Sequence, residues 1–205
     1  MKCVFVDTET GGYDCKVHAL LSIGAVVFDP ETGEIGRGYY RTMAPCTGYG
    51  FTIEALKVNG LRIQDIDGGD EPYDVFEEFA EWYEAQESVA TWAHNADFDF
   101  GFLRQWEQES APELDIEPSL FHGRPSFVCS KQLLQVAQLQ GHYPATRSCS
   151  LGVACAYFDI EPGRHHALND AIAGAKLVCK LWQLFGWAKG NNPSGNGAGE
   201  GRDEQ

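Results

Sequence analysis

Three short segments place acidic side chains where a hydrophobic stretch ends. The first is Asp7-Thr8-Glu9, which follows the apolar residues 3–6. Residues two apart on a strand point to the same side, so the carboxylates of Asp7 and Glu9 face one side together. Two such carboxylates repel each other unless a cation lies between them, and oxygen donors suit Mg²⁺ or Mn²⁺. The pair therefore indicates a divalent metal site, with a solvated turn as the alternative.

The second segment is His94-Asn95-Ala96-Asp97-Phe98-Asp99, at the junction of a predicted strand and a predicted helix. The exposed amides of a helix start favour negative charge. A helix cap at Asp97 or a first-turn acid at Asp99 would each be explained by the helix alone. That explanation covers one of the two acids better than it covers both.

The third segment is His165-His166-Ala167-Leu168-Asn169-Asp170-Ala171. Asp170 is expected near the start of the last helix, and His165 on the loop before it. An imidazole exchanges protons near neutral pH, so a histidine beside an acid can act as a base. A lone histidine before a helix is more often a surface residue, and the functional interpretation depends on the three segments together.

The elements that must position these segments follow from hydrophobic patterning. Strands are expected at 2–6, 19–28, 35–43 and 88–93, with a strand end at 127–129. Helices are expected at 53–58, 72–86, 98–106, 130–140, 148–157 and 167–185. Strands that come first and then alternate with helices predict an α/β fold, a mixed β-sheet flanked by helices on both faces.

The composition fits one folded domain. Hydrophobic residues make up 43% of the 205 residues, and we assign the domain to residues 1–187. The Gly- and Asn-rich residues 188–205 have a composition typical of disorder. The longest apolar run, residues 19–28, is too short to span a bilayer, so no membrane association is expected. Seven cysteines without a CxxC spacing are typical of reduced thiols in a cytoplasmic protein.

The charge balance limits how the chain can bind polyanions. It carries 15 basic and 30 acidic residues, a formal net charge of −15. This argues against a protein that binds nucleic acid through a broad basic surface. It is compatible with an enzyme whose bound metal ions supply the positive charge.

In combination, the three segments resemble the DnaQ-like DEDDh 3′–5′ exonucleases of the RNase H-like superfamily. Residues 7–9 match the family motif DxE, residues 94–99 match HNAxFD, and residues 165–171 match HxAxxDA. The motifs occur in the family order over about residues 3–182. Two weaker stretches, residues 19–25 and 54–60, are similar to RNase T.

The resemblance implies a hydrolase that removes nucleoside 5′-monophosphates from the 3′ end of single-stranded DNA or RNA with two divalent ions, Mg²⁺ or Mn²⁺. It implies four metal ligands, which are Asp7, Glu9, Asp99 and Asp170. His165 would be the general base and Asp97 the variable position of the second motif. His166 would compete with His165 only if the loop were shifted by one residue.

Substrate contacts are expected beside the first motif. The terminal nucleoside would meet Thr10 and the backbone of Gly11 and Gly12. A base would stack on Phe98, with Tyr13 and Phe127 as other candidates, and core packing is the alternative for each aromatic ring.

The expected partners are single-stranded 3′ ends, with a homodimer and a tethering polymerase left open. Two other functions also stay open. One is a phosphoesterase that acts on short oligonucleotides, and the other is a polymerase-associated subunit that binds nucleic acid without cleaving it. Clustered acids argue against a pure scaffold, because they cost stability when no metal is bound.

Overall fold

The computed structural model describes residues 1–118, 120–122 and 127–188. Within these ranges a five-stranded sheet has the order β3-β2-β1-β4-β5. The strands are β1 (Cys3–Thr10), β2 (Leu20–Asp29), β3 (Glu34–Thr42), β4 (Ala90–Ala93) and β5 (Val128–Cys129). Strands β1, β2 and β3 form an antiparallel meander, whereas β4 pairs in parallel with both β1 and β5. The predicted mixed sheet is confirmed. The tail predicted over residues 188–205 lies outside the described residues from position 189 onward.

The turn that joins β2 to β3 follows from local chemistry. The Asp29 carboxylate accepts the N–H groups of Glu31 and Thr32, at 2.8 and 3.3 Å. Gly33 then takes a left-handed backbone conformation, with φ of 79°, which glycine adopts without steric cost. This turn reverses the chain and pairs β3 with β2.

Seven helices occur in the described part of the chain. They are α1 (Ile53–Asn59), α2 (Ile63–Asp67), α3 (Pro72–Glu84), α4 (Ala96–Glu113), α5 (Ser130–Leu139), α6 (Leu151–Tyr157) and α7 (Ala167–Leu184). The sequence did not predict α2, because five residues are too few to show a helical period. The expectation that α4 ends at 106 was wrong, since its last two turns bury Glu107 and Ser110, which are 1% and 0% exposed. Polar residues at buried positions hide the hydrophobic pattern.

Helices cover both faces of the sheet, as predicted. On one face α7 packs Ala171, Ala175 and Val178 against Phe5 and other apolar residues of β1 and β2. On the other face, α3 and α4 form a larger core with the opposite side of β1. Helices α5 and α6 pack against the outer part of α7.

Helix α7 packs closely on the sheet at two glycines, Gly24 and Gly174. A Cβ on Gly174 would lie 2.2 Å from Cζ of Phe5, and a Cβ on Gly24 would lie 2.1 Å from the backbone nitrogen of Leu168. Real side-chain atoms do not approach that closely. The start of α7, which carries Asp170, therefore packs directly against the central strands.

No helix within the described ranges is long and apolar enough to cross a membrane. All seven cysteines are free thiols.

Candidate active site

A cavity of about 500 Å³ lies where β1 and β4 end. All three acidic segments contribute to its lining. The residues they bring to it include Asp7, Glu9, Asp99, His165 and Asp170. The opposite wall is formed by residues 150–153, at the start of α6, and by the loop that precedes α7. The fold thus gathers residues from four separate parts of the chain around one space.

Strand β1 directs the two acids of the first motif toward α7. Asp7 pairs across the sheet with Gly24, whose missing side chain would point at α7. Residues opposite each other in an antiparallel pair project to the same face. Glu9, two residues further along, projects to that face as well. The strand was predicted to end at residue 6, but it continues to Thr10, and this continuation fixes both carboxylates.

Thr8, the middle residue of the first motif, holds an acid of the second. Its backbone N–H donates to Oδ1 of Asp99 over 3.1 Å, and its hydroxyl donates to the same oxygen over 2.8 Å. Both groups are buried, so these hydrogen bonds fix the carboxylate. No role for Thr8 could be predicted from sequence, because its partner lies 91 positions away.

The two acids of the second motif have different environments. Asp99 is 4% exposed and lines the cavity, whereas Asp97 is exposed to solvent and lies outside its lining. Side chains two positions apart on a helix point in different directions. The helix therefore turns one acid inward and leaves the other on the surface.

The loop before α7 presents His165 to the acids. A ring nitrogen of His165 and carboxylate oxygens of Glu9 and Asp170 lie within 4.8 Å of one another. The backbone N–H of His166 donates to Oδ2 of Asp170 over 3.2 Å, which ties the loop to the helix. The His166 ring is stacked on Tyr40 with centroids 4.3 Å apart, away from the cavity lining.

The acids strongly influence one another. Burial raises the pKa of Asp7 well above its usual value, and the charges of Asp99, Glu9 and Asp170 add to the effect. Burial, followed by the charges of Asp170 and Asp99, raises the pKa of Glu9 to about 8. Burial raises the pKa of Asp99 to about 7, although the Thr8 hydrogen bonds oppose the rise. Burial also raises the pKa of Asp170. Converging carboxylates that are hard to ionise alone fit a divalent cation with oxygen ligands.

His94 is a further residue of the cavity to which the sequence assigned no role of its own. Its Nε2 lies 2.8 Å from the carbonyl oxygen of Cys149 and its Nδ1 lies 3.0 Å from Oγ of Ser130. Burial lowers the pKa of His94 to about 4, so the ring is neutral. A carbonyl oxygen only accepts, so Nε2 carries the hydrogen and the Ser130 hydroxyl donates to Nδ1. His94 thus joins the end of β4 to the segment that forms the opposite wall.

A second cavity of about 170 Å³ adjoins the first. Both are lined by Thr8, Glu9 and Phe98. Three residues expected to contact substrate line the smaller one, namely Thr10, Gly12 and Phe98. Tyr13 also lines it and is 91% exposed.

Gly11 and Phe127 are placed elsewhere. The N–H of Gly11 donates to the carbonyl of Ala19 over 2.8 Å. A Cβ on Gly11 would lie 2.4 Å from the oxygen of Gly50, so the position serves chain packing. Phe127 is buried against Phe100 in the core.

Comparison with other sequences gives relatives across most of the chain. Ribonuclease T of Escherichia coli is 27% identical over 199 residues, which cover 90% of this chain and 87% of that protein. A PolC-type DNA polymerase III of Thermotoga petrophila is 28% identical over 183 residues, which cover 89% of this chain. The chain spans only 12% of the length of that polymerase.

Comparison with solved structures identifies the fold. The structure of Escherichia coli exonuclease I in complex with a dT13 oligonucleotide matches with a TM-score of 0.75 at 15% identity, over 91% of this chain and 43% of that one. The likeness shows an RNase H-like fold, as predicted. A family model described as the 3′-5′ exoribonuclease Rv2179c-like domain matches residues 2–182. The resemblance to DnaQ-like exonucleases, RNase T included, is thereby confirmed, and the chain belongs to the Rv2179c-like 3′–5′ exoribonuclease family.

Proposed function

We propose that the chain is a 3′–5′ exonuclease that hydrolyses the terminal phosphodiester of single-stranded nucleic acid and releases nucleoside 5′-monophosphates. The observation that carries the proposal is the convergence of four acids and one histidine on a single cavity, in a chain of this family. These residues are Asp7, Glu9, Asp99, Asp170 and His165.

The four carboxylates are proposed to hold two divalent cations, Mg²⁺ or Mn²⁺. When bound, such ions neutralise the phosphate, acidify a water molecule and stabilise the leaving 3′ oxygen. The chain holds the acids in fixed positions by hydrogen bonds. Asp99 is held by Thr8, and Asp170 accepts the backbone N–H of His166.

His165 is proposed as the general base. Its ring nitrogen lies near the carboxylates of Glu9 and Asp170, so it can take the proton of the water that attacks phosphorus. General-base catalysis requires hydrogen-bond reach to that water and an imidazole that is neutral beforehand. The bond from phosphorus to the 3′ oxygen then breaks, that oxygen takes a proton from solvent, and the shortened strand leaves with a 3′ hydroxyl, while His165 releases its proton to solvent.

The smaller cavity is proposed to receive the terminal nucleoside. It adjoins the acids through Glu9 and Phe98, and Thr10 and Gly12 line it. Phe98 is half-buried, so one face of its ring is available to a base, and base–aromatic stacking does not depend on sequence. Gly11 supports this wall from behind through its contact with Gly50.

Partners and location are also part of the proposal. The dT13 oligonucleotide in the exonuclease I structure supports single-stranded DNA as a substrate. The name of the relative ribonuclease T supports RNA as a second substrate. The PolC-type relative supports a polymerase as a tethering partner. The seven free thiols support a cytoplasmic location.

A labelled-strand assay tests the proposal. Single-stranded DNA, single-stranded RNA and a duplex, each labelled at the 5′ end, are incubated with Mg²⁺ or Mn²⁺, with and without EDTA. We expect labelled products that shorten stepwise from the 3′ end and no products in EDTA. Immediate release of the labelled nucleotide, or full activity in EDTA, would contradict the proposal.

A matched pair of variants assigns the activity to the cavity. Asp99→Asn removes a charge inside it, whereas Asp97→Asn removes the same charge from the surface of the same helix turn. Asp99→Asn should abolish cleavage and Asp97→Asn should retain most of it. Equal losses would show that the second motif has been assigned to the wrong acid.

A further inference from the structure

Among the lysine and arginine residues that the structure describes, Arg164 alone lines the large cavity. It forms no ion pair with any described residue, although four acids lie in the same cavity. Other arginines are engaged elsewhere. Arg41 pairs with Glu78, Arg62 pairs with Asp65, and Arg104 lies over the ring of Phe100. The cavity therefore has one permanent cation whose donors are left for a ligand.

The backbone holds Arg164 in an unusual conformation. Arg164 and His165 are consecutive left-handed residues, with φ of 60° and 58°. Such conformations cost free energy for residues with a Cβ, and they persist only where the surroundings fix them. Here a Cβ on Gly163 would lie 2.2 Å from the nitrogen of Asp170, so the loop is packed tightly on the first turn of α7. The same backbone conformation places Arg164 beside His165 at the cavity.

We propose that Arg164 binds a phosphate of the nucleic-acid strand on the 5′ side of the scissile bond. The inference rests on the proposed function. Arg164 lines only the large cavity, whereas the smaller cavity is assigned to the terminal nucleoside. The rest of the strand must leave through the large cavity, past residues 150–153 and Arg164. The phosphate that Arg164 meets is therefore the one next to the scissile phosphate.

The chemistry of the side chain suits this task. A guanidinium is always charged and presents a planar set of donors that can bind two phosphate oxygens at once. In a chain with a net charge of −15, a strand approaching the acids is repelled. A single cation at the cavity provides both a local attraction and an orientation for the strand.

Three variants test the inference. Arg164→Gln removes the cation and retains a side chain of comparable length. Arg164→Lys retains the positive charge but lacks the planar set of donors of a guanidinium. Arg37→Gln is the matched control, because Arg37 is exposed on β3 and lies outside both cavities. Initial rates on single-stranded oligonucleotides are measured in Mn²⁺ over a series of salt concentrations.

For Arg164→Gln we expect KM to rise about tenfold, the scale of a hydrogen bond to a charged group, with a smaller change in kcat. The slope of log(kcat/KM) against log[salt] should become shallower by about 0.7, the value for one phosphate contact on a single strand. Arg37→Gln should change neither quantity. Arg164→Lys should have the salt slope of the parent chain, and its KM should lie between that of the parent chain and that of Arg164→Gln.

A modified substrate identifies the phosphate. Replacing the linkage next to the scissile one with a neutral methylphosphonate should remove the difference in KM between the parent chain and Arg164→Gln. The Mn²⁺-induced rise in melting temperature should be the same in both proteins, because Arg164 is not assigned to the metal site.

Each contrary result has a distinct meaning. A parent chain without exonuclease activity would overturn the proposed function itself. An active parent chain with equal KM for Arg164→Gln and Arg37→Gln would overturn only the inference about Arg164. A difference that persists on the methylphosphonate substrate would overturn the assigned phosphate. Loss of the Mn²⁺-induced stabilisation in Arg164→Gln would assign the residue to metal-site structure instead.

Discussion

Asp7 and Gly24 lie directly opposite each other in the antiparallel pair of β1 and β2. Both project toward α7, and the missing side chain of Gly24 leaves the space in which the backbone of Ala167 and Leu168 lies. The contact between strand and helix at Gly24 thus sets how closely Asp170 approaches Asp7.

Gly24→Ala should separate these two acids. The new Cβ would push the first turn of α7 outward, and we expect a loss of about 1–3 kcal/mol in the free energy of unfolding, together with weaker Mn²⁺ binding. Gly36→Ala in β3 is the control, because a Cβ there would lie 3.4 Å from its nearest neighbour. Calorimetric titration and thermal melting measure both effects. Unchanged Mn²⁺ affinity in Gly24→Ala would contradict this account.

His165→Ala should retain metal binding and lose most of the rate. General-base catalysis typically contributes about 10²–10⁴-fold, so we expect a decrease in kcat of that size. His166→Ala is the neighbouring control, because that ring is stacked on Tyr40 outside the cavity lining. Single-turnover rates and Mn²⁺ titrations distinguish the two variants, and an equal loss in both would contradict the assignment.

Removing divalent ions should make stability depend on pH. The pKa of Glu9 is raised by burial from its ordinary value of 4.5 to about 8. A raised pKa means that the folded state binds the proton of Glu9 more tightly than the unfolded state does. The resulting contribution to the free energy of unfolding is complete below pH 4.5 and is lost as the pH rises through 8. The melting temperature in EDTA should therefore fall across this window. Glu9→Gln should flatten the profile, and a melting temperature that rises across the window would contradict the prediction.

Binding of a single strand should depend only weakly on salt. Two or three phosphate contacts would give a slope of about −1.4 to −2.1 for log K against log[salt]. The measurement uses the inactive Asp99→Asn variant with Ca²⁺ and end-labelled DNA or RNA. Weak attraction also predicts release after a few cuts, which a competitor trap detects. A slope steeper than about −4, or many successive cuts in the presence of the trap, would indicate a row of basic residues along the bound nucleic acid.

The parts of the site that sequence predicts well are those carried by local pattern. The spacing of Asp7 and Glu9 on a strand indicated a shared face, and the structure places both on the face toward α7. The last helix was expected at 167–185, and the structure has α7 at Ala167–Leu184, with Ala171 and Ala175 fully buried on one face. Local periodicity determines such faces before any tertiary contact forms.

The parts that sequence missed depend on contacts between distant segments. Thr8 acts on Asp99, and His94 acts on Cys149 and Ser130. Gly11 was expected to contact the substrate through its backbone, and the structure adds a packing contact with Gly50 that has no signal in the sequence. No local pattern distinguishes a glycine that contacts a ligand from one that contacts the chain itself. Arg164 was not singled out either, because one arginine in a loop has no distinctive spacing.

The close packing of α7 on the sheet also affects when the activity can arise during synthesis. Asp7 is made before His165 and Asp170, which belong to the last elements that the structure describes. A growing chain that lacks α7 has three of the four acids beside an uncovered strand face, and it lacks the proposed base. The proposed set of metal ligands is completed only when α7 docks on β1 and β2. Under the proposed function, a nascent or truncated chain without α7 should therefore not cleave RNA, because it lacks the proposed base His165 and the proposed metal ligand Asp170.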